Sequence, residues 1–138
     1  MFIPQKPYLL TFSCRADEER VTPYLDALAE VYTSCAMTFP MENPDAGTML
    51  ELIDNASAAI LFVSTHTENE ALLRAALSHL LYTDTRLLVV YLDEVELPSG
   101  MQFQLSLCPE FFPNRHPSTA SAVKTLTEAP YIKAAMTE

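Results

Sequence analysis

Strand-length apolar runs alternate along this chain with stretches whose apolar residues recur every three or four positions. Tyr8-Leu9-Leu10-Thr11-Phe12, bounded by Pro7 and the polar run Ser13 to Asp17, predicts a buried strand leading into a loop. Val21, Tyr24, Leu25, Leu28, Val31 and Tyr32 predict a helix, with Thr22-Pro23 as N-cap and first helical residue and Asp17 to Arg20 as a polar lead-in. Ala36 to Phe39 reads as a weak second strand ended by Pro40, and Glu42 to Gly47 as a turn-rich loop. A short helix from about Thr48 to Asn55 follows. Ala59 to Val63 is continuously apolar, as a central parallel strand should be. Then come a helix from about Asn69 to Tyr82, a strand Leu87 to Leu92, a polar loop Asp93 to Gly100 and a short helix Met101 to Leu107. Phe111-Phe112 suits an edge strand, packed by its own aromatics or exposed as a contact patch. Ser118 to Met136 is helical, broken or kinked at Pro130.

Short buried strands alternating with helices require right-handed crossovers and a parallel sheet covered on both faces. The predicted class is α/β: a flavodoxin-like, doubly wound, five-stranded parallel sheet in the order 2-1-3-4-5. At 138 residues one domain over positions 1–138 is expected, which also suits the N-terminal domain of a longer protein. With only two glycines, Gly47 and Gly100 are expected to mark positive-φ positions.

Such sheets bind ligands at the carboxyl ends of the strands, at the point where strand order reverses. Ser13, Cys14, Arg15, Asp17, Ser64, Thr65, His66 and Glu68 fall in the loops there, with Glu42 to Gly47 nearby. Several chemistries fail at this place. G-x-G-x-x-G, G-x-x-x-x-G-K and G-x-S-x-G are absent, and a receiver-type phosphoacceptor would need an aspartate where the third strand ends in Ser64. His66, His79 and His116 sit on different elements with no second ligand at metal spacing, so no metal is expected. Cys14 beside Arg15 is either a thiol of lowered pKa or simply a small buried residue.

Charge narrows the partners. Eighteen acidic residues against eight basic ones give a net charge of −10, which repels phosphate backbones and anionic lipid, so neither nucleic acid nor a membrane surface is expected. No secretory signal is visible near Met1, the apolar runs are far shorter than the ~20 residues of a membrane helix, and three widely spaced cysteines suit reduced thiols. A cytoplasmic protein is expected.

The segment Phe12-Ser13-Cys14-Arg15-Ala16-Asp17-Glu18 resembles the box that opens TIR (Toll/interleukin-1 receptor) domains. Gly47 falls where that family has a glycine closing its BB loop. Ile60-Leu61-Phe62-Val63-Ser64 is similar to its third strand with a terminal serine, and Tyr91 to Met101 resembles the segment after strand four in bacterial members. The similarity runs from about Tyr8 to Ala135. It implies one of two jobs: assembly with other TIR domains, or cleavage or cyclisation of NAD in bacterial anti-phage defence. NAD is then a substrate or ligand, and no cofactor is implied. The resemblance places Phe12, Ser13, Arg15, Ser64 and Arg74 around a nucleotide, and Glu42, Asn43, Pro44, Asp45 and Gly47 in an assembly loop, with the surface of the helix after strand three as a further contact.

Enzymatic members carry a catalytic glutamate on that helix, about twelve residues after the strand-three serine. The count from Ser64 through Arg74 arrives at Ala76. Glu70, six residues back, is about 120° out of alignment and does not replace it. Alanine is here either native or an exchange for the glutamate. Loss of a comparable electrostatic stabiliser lowers a rate by ~10²–10³, so the chain as written is expected to be inactive or weak. Three readings stand: an NAD-processing TIR lineage without its glutamate, a non-catalytic TIR assembly module, and a sensor of a small nucleotide.

Overall fold

A computed structural model describes residues 7–41 and 45–137. The chain runs β1 (Leu9–Cys14), α1 (Glu18–Val31), β2 (Ser34–Phe39), α2 (Ala46–Asn55), β3 (Ala58–Val63), α3 (Ala71–Tyr82), β4 (Arg86–Tyr91), α4 (Ser99–Leu105), β5 (Glu110–Phe111), α5 (Thr119–Thr127) and α6 (Pro130–Met136). The strands form one parallel sheet in the order β2-β1-β3-β4-β5, as the alternation of elements predicts. β1 and β3 are buried along their whole length because helices cover both faces.

Successive residues of a strand point to opposite faces, and the core divides accordingly. Leu10, Phe12, Leu61, Val63 and Val89 face α2, α3 and α4. Leu9, Ile60, Phe62, Leu88 and Val90 face α1, α5 and α6. Leu73, Leu77 and Leu80 of α3 are buried in the first layer, with Leu72 and Leu81 packed at its edge, the leucine stripe expected of a core face. The predicted edge strand is largely self-packed: Phe112 stacks on Tyr91 at 5.2 Å between ring centroids, and the Arg115 guanidinium sits 3.9 Å above the Phe112 ring.

Three local expectations change. The first helix begins at Glu18, five residues before Pro23, and is preceded by a 3-10 turn over Arg15–Asp17. Asp17 is buried by pairing across the fold, so the polar lead-in is an anchored first turn, with Glu18 and Glu19 favourably placed at the helix N-terminus. Pro23 therefore lies inside α1, and Glu19, whose carbonyl loses its helical partner to the proline ring, is exposed. The long last helix is two helices, α6 opening on Pro130, where a missing N–H costs nothing. Neither glycine has positive φ; both sit in the first turn of a helix, α2 or α4. The left-handed position belongs to Asp84 (φ 63°) between α3 and β4, a residue type that tolerates it.

Candidate functional site

The chain leaves β1 for α1 on one face and β3 for α3 on the other, so the switch point lies between the ends of these two adjacent strands. Their loops fold into each other. Asp17 is 1% exposed, and its carboxylate accepts a hydrogen bond from the Ser64 hydroxyl. The Ser64 oxygen in turn accepts from the His66 amide (3.1 Å), while the Ser64 amide donates to Thr67 Oγ1 (2.8 Å). Arg20 Nη1 stands 3.6 Å from Asp17, and His66 Nε2 4.0 Å from it. A second carboxylate closes the arrangement. Asp93 accepts from Arg20 at 2.7 and 3.1 Å and from the Thr65 amide at 3.2 Å. The Arg20 bond is the main cause that holds the Asp93 carboxyl below its ordinary pKa. The run Asp93 to Glu96, read from sequence as a solvated loop, thus begins with an anchor.

The residues singled out in the sequence do not converge on one cavity. Phe12 and Ser13 are buried within β1, the Phe12 ring 6.4 Å from Phe39. Ser64 is buried at the end of β3 with its hydroxyl committed. Arg15 is exposed and turns toward β2, its Nε and Nη2 each 3.3 Å from the Pro40 carbonyl oxygen, and pairs with neither Asp17 nor Glu18. Arg74 is exposed on α3 and lines a cavity of about 430 Å³ with Ser78, Met101 and Gln104. Ala76 is buried in the core layer of α3, 5% exposed; its neighbour Ala75 shares the cavity of Arg74. Asp45 caps α2 by accepting the Thr48 amide (3.2 Å), and Gly47 lies exposed in that helix's first turn. Glu42, Asn43 and Pro44 lie outside the described residues.

Cys14 takes the bland alternative. It is buried, and burial pushes its thiol up to about 11, so it stays protonated at neutral pH. Beside Ser64 the carboxyl ends of β3 and β4 leave a smaller cavity of about 250 Å³, bordered by Glu68, Glu94 and Glu96 and by no cation. Three carboxylates at its rim oppose a diphosphate. Among the described residues no group of three or more His, Cys, Asp or Glu is placed to hold a metal ion, and no helix is long and apolar enough to cross a membrane.

Two side chains that the sequence pattern left unmarked stand out on the surface. Phe103 is 75% exposed and Leu107 85% exposed, four residues apart. With Leu81, Leu87, Cys108 and Tyr131, and with Asp84 as its one charged residue, they border an open groove of about 420 Å³. Of the six α-helices among the described residues, α4 alone carries no charged residue, and the whole stretch from Leu97 to Pro109 is uncharged. The signal was available: Met101 and Leu105 share the buried side of α4, and Phe103, two residues on, must face the opposite way.

No family model matches the sequence, and no curated protein matches it. Solved structures do. The chain is similar to the RPS4 and RRS1 TIR domain heterodimer, at a TM-score of 0.64 and 10% identity over 95% of this chain and 99% of that one. It is also similar to diflavin flavoprotein A3 of Nostoc sp., at a TM-score of 0.62 and 11% identity over 91% of this chain and 90% of that one. At such identities the likeness shows the fold, which is TIR-like within the flavodoxin-like class.

Proposed function

We propose that this TIR-like domain works by associating with another TIR-like domain, its own copy being the simplest partner, and not by turning over NAD. One observation carries the reading: the Ser64 hydroxyl and the Asp17 carboxylate at the switch point satisfy each other in a buried hydrogen bond. Neither is left to orient a ribose or stabilise a developing positive charge. Further support comes from Ala76, which lies in the core layer, and from the groove around Phe103 and Leu107, where Asp84 is the one charged residue of the lining. In a chain of net charge −10, the uncharged stretch Leu97 to Pro109 is one that a second copy can approach with little local repulsion. The similar RPS4 and RRS1 domains form a heterodimer, which is the kind of assembly envisaged. A cytoplasmic setting with reduced Cys14, Cys35 and Cys108 belongs to the same proposal. The test is an incubation of the chain with NAD beside a sedimentation series over concentration. Association that weakens on dilution or by Leu107→Glu, without nicotinamide release, supports the reading; a strictly monomeric chain that binds no TIR-like partner counts against it.

A second reading has its own observation. Arg74 faces a cavity of about 430 Å³ together with Ser78 and Gln104, a setting able to hold a nucleotide phosphate in an NAD-processing domain of bacterial defence. There the missing glutamate would be restored at position 76 or at its cavity-facing neighbour. Nicotinamide release by Ala76→Glu or Ala75→Glu, absent in the parent chain, would favour this second reading.

A further inference from the structure

A separate cavity of about 430 Å³ opens on the other face of the sheet, between the first turns of α1 and α5 and beside the carboxyl ends of β4 and β5. Its polar lining is Arg20, Tyr24, Asn114, His116, Ser118 and Thr119, with no carboxylate among the lining residues. In a chain of net charge −10 such a surface is unusual.

Tyr24 is only 4% exposed, its ring tilted against Phe62 at 5.8 Å. Its hydroxyl makes no hydrogen bond to a described residue, although no fully buried side-chain nitrogen or oxygen lacks a partner there. The hydroxyl is therefore the part of Tyr24 that stays open to the cavity, with its donor available to a ligand. An independent set of donors converges on the same space. The Ser118 side chain accepts the Ser121 amide and the Ser118 carbonyl accepts the Ala122 amide, which leaves the N–H groups of Thr119 and Ala120 free at the start of a nine-residue helix. The side chains of Asn114, His116 and Thr119 likewise make no hydrogen bond to a described residue, the His116 ring being stacked on Phe111 at 5.0 Å. Arg20 is held by Asp93 and by the Leu92 carbonyl (2.8 Å), and the Asp93 oxygens are occupied by Arg20 and the Thr65 amide. The cavity thus presents several donors and no carboxylate at a helix N-terminus, an arrangement suited to an oxyanion.

We propose that this cavity binds a small phosphorylated molecule, with its phosphate at the N-terminus of α5 and on the Tyr24 hydroxyl. The volume lies within the about 300–1,000 Å³ of small-molecule sites, so it accommodates a polar group beyond the phosphate. The site is distinct from the groove around Phe103 and stands or falls independently of association.

The experiment follows backbone amide resonances of the full chain during titration with inorganic phosphate, ribose 5-phosphate and ribose at constant ionic strength. Both phosphate compounds should shift the Thr119 and Ala120 amides saturably in the millimolar range, ribose 5-phosphate more tightly, and ribose should shift neither. Tyr24→Phe keeps the ring against Phe62 and should weaken ribose 5-phosphate binding by about tenfold or more, the value of a hydrogen bond to a charged group. Unchanged amides in β2 and α3 would show that the variant is folded. No saturable shift with either phosphate compound, an equal response to ribose, or an unaltered affinity in Tyr24→Phe would overturn the proposal. Binding of inorganic phosphate without ribose 5-phosphate would refute the small-molecule occupant.

Discussion

The switch point between β1 and β3 and the groove along α4 are opposites in how their side chains are satisfied. At the switch point Asp17, Ser64, Thr67, Arg20 and Asp93 meet one another's hydrogen-bonding needs. At the groove Phe103 and Leu107 leave most of their apolar surface in water. A fold of this class places its ligand crevice at the switch point, yet here that place contributes to stability while the unmet chemistry lies elsewhere. Position within a fold marks where a site is expected; the balance of satisfied and unsatisfied groups decides where one remains.

The contrast can be broken by substitution. Ala76→Glu introduces a carboxylate into the core layer of α3, so it should destabilise the domain by about 3 kcal/mol or more in urea unfolding and release no nicotinamide from NAD. A stable, active Ala76→Glu would show that α3 presents this position to a ligand. Asp17→Ala leaves the Ser64 hydroxyl without its acceptor and should cost about 2 kcal/mol by the same measurement. Phe103→Glu combined with Leu107→Glu should behave in reverse, changing stability by less than about 0.5 kcal/mol while weakening association by about tenfold or more, which corresponds to ~1.4 kcal/mol. The smallest effect is a pH dependence. Because Arg20 lowers the folded pKa of Asp93, their pairing adds stability above the ordinary aspartate range and loses it as pH falls through the lowered value. The pair is part-exposed, so the acid-side loss that Asp93→Asn removes should be about 0.5 kcal/mol, read from urea midpoints between pH 6 and pH 3.

Much of the fold is legible in the sequence because buried parallel strands are written as unbroken apolar runs. Ala59 to Val63 and Leu87 to Leu92 admit few other placements, and Pro130 marks a helix boundary by its missing N–H. The start of α1 was obscured for a physical reason. Asp17 is polar in local context and buried only through Ser64, 47 residues away, so no local pattern reveals that it anchors a helix. Asp93 is similar, its partner Arg20 being 73 residues distant. The sequence pattern puts these loops at the strand ends, but which side chains consume one another there depends on contacts between loops. The exposure of Phe103 and Leu107 was readable from their half-turn offset to Met101 and Leu105, though a seven-residue helix gives that pattern little length in which to show itself.

Sedimentation equilibrium over a wide concentration range, run in parallel on the chain and on its Phe103→Glu, Leu107→Glu double variant, decides between an associating domain and an isolated one. The mass of the parent chain should rise with concentration above that of one 138-residue copy, while the double variant stays at one copy throughout. A parent chain that remains at one copy alone and when mixed with a second TIR-like domain, or a double variant that assembles as the parent does, would contradict association through the α4 groove.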